Sequence, residues 1–185
     1  MKSYNVKTTT VKVCMTAVFM ALNILMCTFS IPVPGGHLYL CDAVICCAAL
    51  ILDPLSAFIV GGVGAFLGDL LFYPVAMFVS LFAHGLQALS ISLISHYAFK
   101  KHPIVSNVIG LTAGSAFMVL IYFLGKTFVY ANLETALVKL PYEILQAVVG
   151  AVLGFIICKN FGLYKIAEKF GISQKHFDFK KGTEK

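Results

Sequence analysis

The chain has 185 residues, 59% hydrophobic and only 12% charged, against roughly 25% charged in soluble domains. That balance excludes a soluble enzyme and predicts an integral membrane protein, with one bundle over residues 1–158 and a basic tail over 159–185. The net charge of +6 comes from lysines gathered at the ends and in one loop, the bias that orients membrane proteins, so no nucleic-acid partner is expected.

Hydropathy predicts an all-α bundle of six membrane-spanning helices. The first runs from Val11 to Ile31. It is long and no small-residue cleavage site precedes the next loop, so it reads as a retained helix rather than a leader. Ala17 and Ala21 lie four residues apart on it, a spacing that lets helices approach closely in lipid. A Gly/Pro-rich loop, Pro32 to Cys41, leads to a second helix, Asp42 to Leu52, which is short for a span. Asp53-Pro54 marks a tight connection, because the residue before proline avoids helical geometry. The third helix is Pro54 to Tyr73, the fourth Val75 to Phe99, the fifth Ile104 to Thr127 and the sixth Ala136 to Cys158. Gly61 and Ala65, Gly64 and Gly68, Gly110 and Gly114, and Gly150 and Gly154 repeat the close-packing spacing within these helices.

Six spans place both ends of the chain on one side of the membrane. That side then carries 12 of the 14 lysines, and the other side only Lys126 and Lys139. The excess predicts cytoplasmic termini. The loops Pro32–Cys41 and Phe128–Thr135, and the turn at Tyr73-Pro74, then face outward.

With that orientation, ionisable residues within the spans collect in the outer half. At about 1.5 Å of rise per residue, Asp69 lies about 6 Å, Glu143 about 10 Å and His84 about 13 Å from the outer helix ends, with Asp42 at the head of the second helix. A carboxylate at such depth costs a few kcal/mol unless it is paired or faces a wet cavity. Each residue also has a structural alternative: Asp42 caps its helix, Asp69 pairs with His84 as buried glue, Glu143 snorkels to the interface, and His37 is simply exposed in its loop. Their shared depth favours one outward-opening polar pocket, with His37, Tyr39, Asp42, Asp69, His84, Tyr142 and Glu143 as its binding residues. Tyr39 and Tyr142 are its stacking candidates.

No phosphate-cradling G-x-x-x-x-G-K-[ST], no H-E-x-x-H and no G-x-S-x-G occurs. Cys46-Cys47 lacks metal-ligand spacing, so the cysteines read as structural thiols, with neither metal nor cofactor implied. Two acids in membrane helices raise an intramembrane aspartyl hydrolase using Asp42 and Asp69. However, Phe66-Leu67-Gly68-Asp69 lacks the first glycine of G-x-G-D, and Tyr39-Leu40-Cys41-Asp42 lacks a Tyr next to the acid. A membrane scaffold without a small-molecule ligand is a further alternative.

Gly36-His37-Leu38-Tyr39-Leu40-Cys41-Asp42, Asp53-Pro54, Gly61-Gly62-Val63-Gly64-Ala65-Phe66-Leu67-Gly68-Asp69 and Tyr73-Pro74 together resemble the substrate-binding S components of energy-coupling factor (ECF) vitamin transporters. The likeness is nearest the hydroxymethylpyrimidine or pyridoxine branch, with riboflavin or another vitamin as the alternative. Ala17 and Ala21 match the family's A-x-x-x-A, and Pro141, Gln146, Gly150 and Gly154 resemble its last helix. The resemblance implies a bacterial plasma-membrane subunit that captures a vitamin from outside. It also implies that the first helix docks on a transmembrane coupling protein carrying two ATPases, which would supply the energy. Three residues depart from the pattern: Cys41 replaces a common Gly, His84 a usual Lys, and Glu143 a usual Asn.

Overall fold

The computed structural model describes residues 6–99 and 102–169. Of the predicted basic tail, the part from residue 170 onward lies outside the described residues, as do Lys2, Lys100 and Lys101. Helix α1 (Val6–Cys27) is followed by strands β1 (Ser30–Val33) and β2 (Gly36–Tyr39), then by the short helix α2 (Cys41–Ile51). Four long helices complete the bundle: α3 (Pro54–Phe72), α4 (Pro74–Tyr97), α5 (Pro103–Tyr130) and α6 (Leu133–Asn160). A final short helix, α7 (Leu163–Lys169), ends the described chain.

Five of these helices, α1 and α3 to α6, are long and apolar enough to cross a membrane. The expected second span is not a full one. Helix α2 has 11 residues and rises about 16 Å, roughly half the hydrocarbon thickness. Its apolar run serves a different purpose, because every residue except Val44 is buried. A helix apolar on all sides belongs inside a bundle, and α2 packs against α1, α4 and α6 as the central rod.

The expected loop before α2 is a β-hairpin, so the fold is not purely α. Its two strands are antiparallel, pairing Ser30 with Tyr39 and Val33 with Gly36. The turn needs Gly35 and Gly36, whose φ angles of +80° and +147° suit residues without a Cβ. Pro32 hid the strand from sequence reasoning, since proline within an extended run argues against a strand.

The paired small residues pack inside the bundle. A Cβ on Gly61 would lie 2.5 Å from the carbonyl oxygen of His84, and one on Gly114 would lie 2.8 Å from that of Gln87. Gly150 and Gly154 pack against Asp42 and Cys46 of α2. Helix α3 is wound as a π turn over Ile59–Val63, and the amide of Asn23 on α1 donates to the Val60 carbonyl there at 2.7 Å. Ala17 and Ala21 differ from these pairs: both are exposed on the outer face of α1.

Replacing Gly61 with Ala forces α3 and α4 apart. Overpacking of this kind costs about 1–3 kcal/mol, and the thermal unfolding midpoint of G61A in detergent is expected below that of the wild type.

Candidate functional site

The hairpin covers a polar cavity of about 30 Å³ enclosed with α3, α4, α5 and α6. Its chemistry centres on Glu143 of α6, a residue only 2% exposed. The Lys126 ammonium lies 2.8 Å from Glu143 Oε1, and Lys139 Nζ lies 3.8 Å from the same atom. Both lysines are buried as well, at 5% and 6% exposure. Helix α5 continues through a π turn to Tyr130 rather than stopping at Thr127. Lys126 Nζ therefore also donates to the Tyr130 hydroxyl at 3.0 Å. Glu143 Oε2, in contrast, is buried with no hydrogen-bond partner. An unsatisfied buried carboxylate oxygen is costly, and here it lies on a cavity wall.

Asp69 lines the cavity from α3, accepting a hydrogen bond from the Ser80 hydroxyl. Ser80 Oγ in turn lies 2.6 Å from the hydroxyl of Tyr122. His37 and Tyr39 line the cavity from the hairpin, and Tyr73 closes it from the end of α3. The His37 ring is 6.3 Å from that of Tyr39 and 6.2 Å from that of Tyr73. Burial, followed by the nearby Asp69 charge, raises the Tyr39 phenol well above its ordinary pKa, so it stays a neutral hydrogen-bond donor.

Asp42 and His84 lie behind the cavity wall rather than on it. Asp42 is completely buried. Its Oδ1 accepts from Gln87 Nε2 at 2.9 Å, and its Oδ2 accepts from Gln146 Nε2 at 2.5 Å. The N-terminal turn of α2 adds a favourable dipole for the anion. His84 Nδ1 lies 2.8 Å from Gln87 Oε1 and 3.5 Å from Asp42 Oδ1. Gln146 also accepts from the Tyr39 backbone N–H at 3.0 Å, and Lys139 donates to the His37 carbonyl at 2.6 Å. The hairpin is thus fastened to α6 by two side chains, one of them anchored on Asp42.

Of the residues singled out from sequence, His37, Tyr39, Asp69 and Glu143 meet at the cavity, and Asp42 and His84 form its support. Tyr142 is half-buried and does not line it. Sequence reasoning did not place Lys126, Lys139, Tyr122 or Gln146 in the site. The spacing of Lys139 and Glu143, four apart on one helix face, was the available signal for one of them.

This combination is a helical membrane bundle with a lidded polar cavity built from ionisable groups on several helices. It defines a multi-pass membrane protein with a polar cavity beneath its hairpin. No match was found among curated protein sequences. Among solved structures the chain is similar to one titled "Structure and mechanism of the S component of a bacterial ECF transporter". The TM-score is 0.72 at 17% identity, covering 85% of this chain and 98% of that one. The family profile for the ECF-type riboflavin transporter, S component, matches residues 7–162. The chain belongs to that family. It is a multi-pass membrane transport protein and not an enzyme, which removes the aspartyl hydrolase alternative.

Replacing Gln146 with Leu strands both Asp42 Oδ2 and the Tyr39 N–H. Each buried group left unsatisfied costs about 1–3 kcal/mol. Q146L should therefore unfold at a lower temperature, and its hairpin amides should exchange hydrogen faster in mass-spectrometric measurements.

Proposed function

We propose that this chain captures a water-soluble heterocyclic vitamin from outside a bacterial plasma membrane and delivers it inward together with an ECF energising module. The observation that carries this reading is Glu143 Oε2, a buried acceptor without a partner on the cavity wall. It would accept from an N–H or O–H of the ligand, while Lys126 and Lys139 offer donors to neighbouring acceptors. A neutral ligand suits the site, since the two lysines are balanced by Glu143 and Asp69. The Lys12–Asp53 ion pair brings the end of α2 back beside the start of α1, so α1 and α2 together run out and back. With that path the lysine distribution supports cytoplasmic termini and an outward-facing hairpin. The hairpin would then act as the lid that lifts for entry, since about 30 Å³ accommodates about two water molecules.

Riboflavin is the first candidate ligand because the matching family carries that name. A monocyclic vitamin such as hydroxymethylpyrimidine or pyridoxine is the second reading, favoured by the small cavity. Titration of purified protein with the three compounds, alongside mass spectrometry of molecules that co-purify, tests both readings. One compound is expected to bind, and E143Q should weaken it about ten- to a hundredfold, the value of a hydrogen bond to a charged group. If none of the three binds and nothing heterocyclic co-purifies, the reading is wrong.

The partners of this reading are a transmembrane coupling protein and two ATPases. Ala17 and Ala21 support the assignment, because α1 presents them on an exposed face where small residues permit close helix contact. The double change Ala17→Leu and Ala21→Leu should leave vitamin binding intact and abolish co-purification with the coupling protein.

A further inference from the structure

Beneath the vitamin cavity, and outside it, lies a second set of donors: Cys41 and Asp42 at the head of α2, and His84 on α4. One ligating atom from each lies within 4.8 Å of the others, and all three residues are buried. We infer that Cys41, Asp42 and His84 form a binding site for a borderline divalent cation of the zinc type.

The donor set carries this assignment. A thiolate, an imidazole and a carboxylate are the three ligand types zinc prefers, and three protein ligands leave a fourth position. Bonds of about 2.0 Å to nitrogen and about 2.3 Å to sulfur place tetrahedral donors roughly 3.5 Å apart. Asp42 Oδ1 and His84 Nδ1 already have that separation, at 3.5 Å, so closure requires mainly a shift of the Cys41 thiol. The thiol of Cys27 interacts with that of Cys41 and supplies a candidate fourth ligand.

One buried side chain, Gln87, links two of the three donors at present. Gln87 bridges Asp42 Oδ1 and His84 Nδ1 with its two amide atoms, and its Nε2 lies 3.9 Å from Cys46 Sγ. A cation would displace this amide. Asp42 Oδ2 would keep its bond from Gln146, an outer contact that orients a metal-bound carboxylate. Binding deprotonates Cys41 and releases that proton to solvent. It also places a positive charge beside the buried Asp42 side chain. The site escapes sequence scanning because its ligands come from two helices and follow no C-x-x-C or H-x-x-H spacing.

Tag-free protein in detergent, titrated with Co²⁺ as a spectroscopic probe and then with Zn²⁺, tests this site. One Co²⁺ per chain with a thiolate-to-cobalt absorption band, displaced by Zn²⁺, is the expected result. C41S and H84Q should each weaken binding at least tenfold, while C14S, which changes an exposed thiol of α1, should leave it unchanged. Absence of the thiolate band in the wild type, or a band unaltered in C41S, overturns the proposal. Should the variants fail to fold, X-ray absorption of the Zn²⁺-loaded wild type decides: a sulfur ligand at about 2.3 Å supports the site, and a shell of oxygen and nitrogen alone refutes it. None of these outcomes depends on which vitamin the cavity holds.

Discussion

The Asp42 carboxylate is the constraint around which this bundle is organised. It sits fully buried at the head of a helix that is itself the core, where an unpartnered charge would cost several kcal/mol. Two glutamine amides answer it, Gln87 from α4 and Gln146 from α6, so one anion binds three helices together. Gly150 makes this possible, because a side chain there would collide with Asp42. A polar network of this kind is stabilising only when every member is satisfied, and the packing of α2 against α4 and α6 brings those members together.

The same network reaches the ligand cavity. Gln146 faces both ways, donating to Asp42 and accepting from the Tyr39 backbone of the hairpin. Lys139 likewise lies near Glu143 while holding the His37 carbonyl. The lid is therefore fastened by the side chains that shape the site. On the proposed reading, a ligand that recruited Lys139 or shifted Gln146 would compete directly with lid closure and so couple occupancy to the position of the hairpin.

Tightly packed and exposed helix faces are segregated in the bundle. Close glycine contacts at Gly61, Gly110 and Gly114 lock α3 and α5 onto α4. The opposite face of α1 carries exposed apolar residues such as Val13, Val18 and Leu22 around Ala17 and Ala21. Lys12 at the start of α1 pairs with Asp53 in the α2–α3 connection at 2.8 Å. There the ammonium, with Ser56, outweighs burial and keeps the carboxyl below its usual pKa range. That ion pair fixes one end of α1 and leaves the exposed face free of the bundle.

The sequence by itself determined the membrane class, the order of the apolar segments, and the residues out of place in lipid. Composition and hydropathy are one-dimensional properties and survive without coordinates. It also identified Asp42, Asp69, His84 and Glu143 as unusual, because charge inside an apolar run is visible locally. Only the tertiary structure decided which of these meet. Asp42 turned away from the cavity toward Gln87 and Gln146, residues 45 and 104 positions distant, and no local pattern encodes such separations. Helix α2 read as a short span because apolarity does not distinguish a lipid environment from a protein one. Lys126 and Lys139 read as orienting charges, and they became site residues only when α5 and α6 brought them both to Glu143.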